Sequence, residues 1–250
     1  SGTWYIKNGT IDFSYSGLYT FQGEQYYISK GLVDNNINGL LKWDNKWLYF
    51  ANGKVDTEYV GLVDNRYGTY YISDGTIDFS YKGLVERDGV RWYVHNGMVN
   101  NGFKGLYKDG NEWVYIENAQ ISTTYTGLAK NSSGWFYVQG GKIDFSYTGL
   151  AENENGLWFV YKGQILFDYV GLWDVDGTVW YIYKGLVDTD YCGVMKYDGN
   201  YVYVGNGKVD YTYTGIASNP YGQWYVVDGI VDFSFTGTYD GYNIVKGQVK

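Results

Sequence analysis

Gly-Leu recurs every 22 residues along this chain, at Gly17-Leu18, Gly39-Leu40, Gly61-Leu62, Gly83-Leu84, Gly105-Leu106, Gly127-Leu128, Gly149-Leu150 and Gly171-Leu172. Gly193-Val194, Gly215-Ile216 and Gly237-Thr238 continue the step. A second glycine keeps the same period at Gly9, Gly31, Gly53, Gly75, Gly97, Gly141, Gly163, Gly185, Gly207 and Gly229, and only Ala119 breaks that column. A fixed period of this length marks an array in which each repeat is one small supersecondary element covered by the next. Eleven repeats without an insertion predict a single array over residues 1–250, with no room for a separate domain.

The first repeat sets the position numbers used below. It reads Trp4-Tyr5-Ile6-Lys7-Asn8-Gly9-Thr10-Ile11-Asp12-Phe13, two aromatic or β-branched runs around Asn-Gly. That dipeptide is the strongest local signal for a two-residue type I′ hairpin, because both of its residues accept positive φ. Such a turn pairs Lys7 with Thr10, Ile6 with Ile11, Tyr5 with Asp12 and Trp4 with Phe13. Position 6 is always Ile, Val or Phe and position 11 always Ile or Val, so this face is the buried one. Ahead of the final repeat, position 5 is Tyr except at Phe159, and position 12 is usually Asp. An amphipathic Tyr beside a carboxylate suits a face packed at the ring and wet at the hydroxyl. With 31 Tyr and 36 Gly against one Pro, the composition supports short strands and tight turns rather than helices.

One hairpin cannot bury its own apolar face, whereas stacked hairpins cover one another. The fold predicted is therefore all-β, a β-solenoid of stacked hairpins. The last repeat, about 237–250, is shortened and replaces the position 5 Tyr by Asn243, as a capping repeat would, which makes Lys250 the expected natural C-terminus. A slower rhythm overlies the array and fades after the sixth repeat. Position 13 reads Phe13, Asn35, Thr57, Phe79, Asn101, Thr123, Phe145, and Gly9–Tyr15 is identical to Gly75–Tyr81. A superhelix with about three hairpins per turn explains this, and so does duplication of a three-repeat block.

The residues argue against chemistry. A net charge of −8 offers nothing to nucleic acid or an anionic membrane surface. No apolar run is long enough to span a bilayer as a helix. His95 is the sole histidine, so neither a Ser-His-Asp triad nor a His-ligated metal site is expected, and it reads as a solvent-facing hairpin residue. Cys192 stands where Thr148 and Thr214 stand, which suggests a partly buried, inert thiol. The Asp column recurs too often for an active site. Asp174-Val175-Asp176-Gly177 starts like a calcium loop but meets Gly185 where the closing acid belongs, so it reads as a turn. No catalytic residue, metal ligand or cofactor is expected.

The positive signal is aromatic. Position 4 holds Trp4, Trp92, Trp158, Trp180 and Trp224, and the position after the Gly-Leu step holds Tyr19, Tyr107, Trp173 and Tyr239. Both columns vary in size yet return to large rings, unlike the scaffold columns. A flat indole stacks on the apolar face of a sugar or holds a quaternary ammonium by its quadrupole. These nine residues are the ligand-binding candidates. The competing explanation is that position 4 rings fill core beside position 13, with Trp4–Phe13, Trp158–Phe167 and Trp224–Phe233 as packed pairs.

An aromatic pair, a hairpin glycine and a Gly-hydrophobic step at about this period resemble the cell-wall-binding repeat superfamily of Gram-positive surface proteins. It includes choline-binding modules, glucan-binding repeats and clostridial toxin tails, and the likeness covers the whole chain. It implies hairpins stacked about three per turn, with ligands in grooves between them. Choline-binding repeats usually carry Gly-Trp where this chain has Gly-Leu. Together these readings predict a non-catalytic module that binds cell-wall glycopolymer or a glucan and targets a larger secreted protein to the bacterial cell surface. An adhesin or spacer rod that binds a host protein or glycan is one alternative, and choline or teichoic-acid binding is another.

Overall fold

The structure is a computed structural model in which residues 2–250 are described. These residues form strands and turns with no helix, in two compact units, 1–123 and 124–250. Within each unit the repeats build a solenoid-like stack of antiparallel hairpins.

Each repeat contains two hairpins that share a strand. In the second unit, for example, Gly149–Asn153 pairs with Gly156–Tyr161, which then pairs with the two-residue strand Gln164–Ile165. Lys162-Gly163 turns the short hairpin with φ of 49° and 77°, the type I′ combination that Asn8-Gly9 repeats at 51° and 81°. The longer hairpin is the main sheet of the repeat.

The pairings of Ile6 with Ile11 and Lys7 with Thr10 occur as expected, but the short ladder ends there. Tyr5–Asp12 is half a pair: the Asp12 N–H donates to the Tyr5 carbonyl at 3.2 Å, but the Tyr5 N–H donates to the Gly31 carbonyl of the next repeat, and Trp4 bridges Leu32 rather than Phe13. Asp12 explains the departure: its Oδ1 accepts the Ser14 N–H at 2.9 Å and the Ser14 hydroxyl at 2.5 Å, folding the chain into an Asx turn. Asp78, Asp144, Asp210 and Asp232 do the same with Ser80, Ser146, Thr212 and Ser234. The recurrent carboxylate makes a turn rather than an acid–base pair.

Freed from its own hairpin, the outer edge of the shared strand joins the next repeat. The Tyr203 N–H donates to the Gly229 carbonyl at 2.8 Å, and the Gly229 N–H donates to the Tyr213 carbonyl at 2.8 Å. The same pair of bonds recurs around Gly31, Gly97, Gly163, Gly185, Gly207 and Gly247. This contact fixes the glycine column. A Cβ on Gly207, at φ +72°, would lie 2.3 Å from the Asp188 carbonyl oxygen of the repeat before. Ala119, with φ of 58°, is the one residue of the column that carries a Cβ, and it is fully buried.

The core lies between successive hairpins. Position 6 is the innermost layer: Ile72, Val94, Ile116, Val138, Val160, Ile182, Val204, Val226 and Ile244 have no exposed surface. Each such side chain contributes about 1.5–3 kcal/mol by leaving water. Val194, Tyr201 and Tyr203 on one hairpin pack against Ala217, Trp224 and Val226 on the next. In the first unit Leu84 and Tyr93 meet Tyr107, Val114 and Ile116 in the same way. Ile6, in the first hairpin, is 60% exposed.

The Gly-Leu step has its own logic. Two residues before it stands a Tyr whose ring stacks on the position 5 ring, as Tyr147 does on Tyr137 with centroids 3.7 Å apart and planes at 16°. The Tyr147 hydroxyl then donates to the Leu150 carbonyl at 2.6 Å. Tyr15, Tyr59, Tyr125, Tyr169 and Tyr213 repeat this bond. At Gly215 a Cβ would sit 2.9 Å from the Tyr213 hydroxyl, so the ring needs the glycine. Most of the tyrosine wealth of the chain is thus structural.

Candidate ligand-binding surface

Position 4 lies on the shared strand, opposite the residue after the Gly-Leu step. Large faces small across this pair: Ala129 opposite Phe136, Ala151 opposite Trp158, Ala217 opposite Trp224, Val85 opposite Trp92 and Tyr107 opposite Val114. Trp173 opposite Trp180, with two indoles together, and Tyr19 opposite Tyr26 depart from this. Position 13 follows the Asx carboxylate and projects outward beside position 4.

Together these positions build a repeated aromatic corner. The Trp158 and Phe167 centroids are 5.4 Å apart with planes at 71°, and those of Trp224 and Phe233 are 5.7 Å apart at 70°. Trp4 with Phe13 and Phe136 with Phe145 make the same edge-on contact at 5.8 Å and 6.3 Å. The expected ring pairs are therefore real, with the indole packed on the core and the phenyl outside it: Phe167 is 43% exposed and Phe233 47%. Tyr201 of the preceding repeat adds a third ring, 5.8 Å from Phe233.

Two of these corners are pinned. The Trp158 indole N–H donates to Asn153 Oδ1 at 3.0 Å, and that of Trp224 donates to Asn219 Oδ1 at 2.9 Å. Each asparagine also caps its own hairpin turn, through the Asn155 or Tyr221 N–H. Each indole is thereby held in one rotamer, with Ala151 or Ala217 across the strand and an exposed phenyl edge beside it. Nearby, hydrogen bonds from the Ser234 hydroxyl and N–H hold the Asp232 carboxyl below its usual range, which places a fixed anion next to Phe233.

The other candidates sit differently. Tyr19, Tyr107, Trp173 and Tyr239 lie 4.8, 5.1, 4.9 and 4.6 Å from the position 5 rings Tyr5, Tyr93, Phe159 and Tyr225. Tyr107, Trp173 and Tyr239 sit half-buried against those rings, whereas Tyr19 is exposed and lines a groove with Trp4, Phe21 and Tyr26. Trp92 is half-buried under the Arg87 guanidinium, 5.9 Å from its ring. Trp180 lies beneath the Lys208 ammonium, 4.2 Å from its centroid. Sequence reasoning passed over Asn153, Asn219 and Lys208, and it weighed Phe167 and Phe233 only as possible core partners of position 4. An asparagine five residues before a tryptophan, at 153/158 and again at 219/224, was the available signal.

His95 stacks loosely on Tyr93 at 6.5 Å, and Asp174 Oδ1 accepts the Gly177 N–H of a tight turn. Cys192 does fill the place of Thr148 and Thr214, accepting the Asn206 N–H at 3.5 Å as those hydroxyls accept Lys162 and Asp228. It is exposed rather than partly buried, because this acceptor sits on the outer side of the turn.

A choline-binding repeat model matches residues 1–12, 14–34, 58–78, 80–100, 102–120, 124–144, 146–166, 190–210 and 212–232, well over half the chain. The chain belongs to the choline-binding repeat family. No curated protein sequence matches this member of the family. Among solved structures, CbpJ from Streptococcus pneumoniae TIGR4 is similar to it over 100% of this chain and 97% of that one, with 16% identity and a TM-score of 0.32. Choline binding protein F from Streptococcus pneumoniae gives 16% identity and 0.32 over 100% and 96%. Alternansucrase in complex with isomaltononaose gives 17% identity and 0.29, covering 87% of this chain and 19% of that one.

Proposed function

We propose that this choline-binding repeat array is a non-catalytic module that holds a glycopolymer of the cell wall, or a glucan, by stacking sugar rings on its exposed aromatic corners. The supporting observation is the pinned corner that occurs twice, Asn153–Trp158–Phe167 and Asn219–Trp224–Phe233. A fixed indole with an exposed phenyl at a right angle presents an apolar floor and wall to the CH face of a sugar. Pre-organisation of the indole lowers the entropy lost on binding. Weak sites repeated along an array suit a polymer, since a chain that engages several gains avidity through effective concentration. In this reading the array targets a larger secreted protein to the bacterial surface.

Choline or a choline-bearing teichoic acid is the second reading, favoured by the family itself. The ammonium and guanidinium already placed over Trp180 and Trp92 weigh against it at those two positions. Co-sedimentation with insoluble α-glucan, cellulose and Gram-positive sacculi with and without teichoic acid, each with and without free choline, separates the two. Choline-insensitive retention on one glycan supports the first reading, and retention abolished by choline supports the second. Retention on none of them turns the reading to an adhesin or spacer.

A further inference from the structure

Trp180 heads an open groove lined by Thr189, Asn206, Lys208, Asp210, Tyr211 and Thr212. Its indole packs beside the buried cluster of Phe159, Ile182 and Val187, and its strand is bridged to Lys208 of the next repeat. The Lys208 Nζ stands 4.2 Å from the ring centroid, closer than the other lysine–aromatic contacts among the described residues, which run from 5.2 to 5.7 Å. That is where a cation is most attracted to the ring quadrupole.

The first unit shows what the same lysine does when it has a better partner. Lys54 bridges Tyr26 in the corresponding register, but its ammonium goes to the Glu24 carboxylate at 2.5 Å. At the place of Glu24 the Trp180 repeat has Thr178, and Lys208 makes no ion pair among the described residues. Asp210 lines the same groove, but its Oδ1 accepts the Thr212 N–H and hydroxyl, and the Lys208 ammonium lies over the ring instead of pairing with it. The ring is left as the partner of the lysine.

We infer that Lys208 is the specificity-determining residue of the Trp180 groove: its ammonium occupies the place over the indole that a quaternary ammonium would take. The groove therefore rejects choline and offers N–H donors, hydroxyls and an aromatic wall to an uncharged, hydroxyl-rich ligand. This deepens the glycopolymer reading and rests on it for the ligand class, though the exclusion of choline stands on the Lys208 geometry alone.

The test uses the whole chain with Lys208→Met, which keeps the length and removes the charge, and Lys208→Arg, which keeps the charge. Tryptophan fluorescence is titrated with choline chloride against sodium chloride at equal ionic strength, and near-UV circular dichroism verifies the fold of each variant. K208M is expected to gain choline affinity by about two- to thirtyfold, the range of a cation–π contact. K208R is expected to match the parent, and Trp180→Leu in the K208M background to remove the gain. No gain in a folded K208M, or parent choline binding that is lost with Trp180→Leu alone, overturns the proposal. Retention on insoluble α-glucan is measured in parallel. Its absence from the parent defeats the glycopolymer reading while leaving the choline result to judge Lys208.

Discussion

The Trp224 indole N–H donates to Asn219 Oδ1, and 66 residues earlier Trp158 donates to Asn153 in the same geometry. Three repeats separate the two, so the second unit builds the same side-chain environment twice. The bond places the ring without touching the face that a ligand would use.

Removing the pin is therefore expected to weaken binding as well as folding. Asn153→Ala with Asn219→Ala costs about 1 kcal/mol per lost hydrogen bond at an exposed turn, and it frees both indoles. Each asparagine accepts two bonds, so the urea midpoint falls with the four that are lost, and polymer retention by the still-folded variant is expected to fall severalfold. A large drop in midpoint with unchanged retention would assign the asparagines to the scaffold alone.

The glycine column makes a contrasting prediction about stability. Gly207→Ala drives a Cβ to within 2.3 Å of the Asp188 carbonyl at φ +72°, and it strains the bonds from Gly207 N–H to Tyr191 and from Tyr181 N–H to Gly207. The cost is expected to exceed ~1 kcal/mol, read as an earlier urea transition. Ala119→Gly, at the one position of the column built with a methyl group, is expected to change the midpoint less. Equal shifts for both would show that the contact between repeats does not depend on the missing Cβ.

The stacked tyrosines set the alkaline limit. Burial raises the pKa of Tyr81, Tyr93, Tyr147, Tyr169, Tyr191 and Tyr213 above the ordinary value near 10. A raised folded pKa means stability that is complete below the unfolded value and lost as pH climbs through the folded one. Phenolate absorbance should then rise in two stages, the exposed tyrosines first and the stacked ones only as the array unfolds. A single stage near pH 10 with the fold intact would contradict the stacking.

Acid acts on the Asx turns. Hydrogen bonds from the following Ser or Thr depress the pKa of Asp12, Asp78, Asp144, Asp210 and Asp232. A depressed folded pKa means stability present above the unfolded value of about 4 and lost as pH falls through the folded one. Thermal midpoints should be level near neutrality and decline below about pH 4. Asp144→Asn, which keeps the acceptor but not the charge, should flatten part of that decline. An unaltered acid profile in that variant would remove Asp144 from the account.

The fold was legible because its rules are local and repeated. Asn8-Gly9 dictates its turn, and position 6 is apolar in every repeat. Ladder length was not legible from alternation: the short strand ends at Ile11 because the Asp12 side chain competes for the backbone at Ser14, a bond that pairing patterns do not encode. The site was half legible. The position 4 and position 13 rings were paired correctly, yet whether Phe167 and Phe233 are buried depends on what covers them, which lies in neighbouring repeats. Lys208 was invisible for the same reason, since its partner Trp180 is 28 residues away in another repeat.

The central claim is that exposed aromatic corners hold a sugar polymer. Its most direct test compares the chain with the double variant Phe167→Ala/Phe233→Ala, which removes two exposed rings and leaves both indoles and the buried layers in place. In co-sedimentation with the polymer that retains the parent, the account predicts at least a severalfold loss of retention with an unchanged circular dichroism spectrum. Full retention by the folded double variant would contradict it.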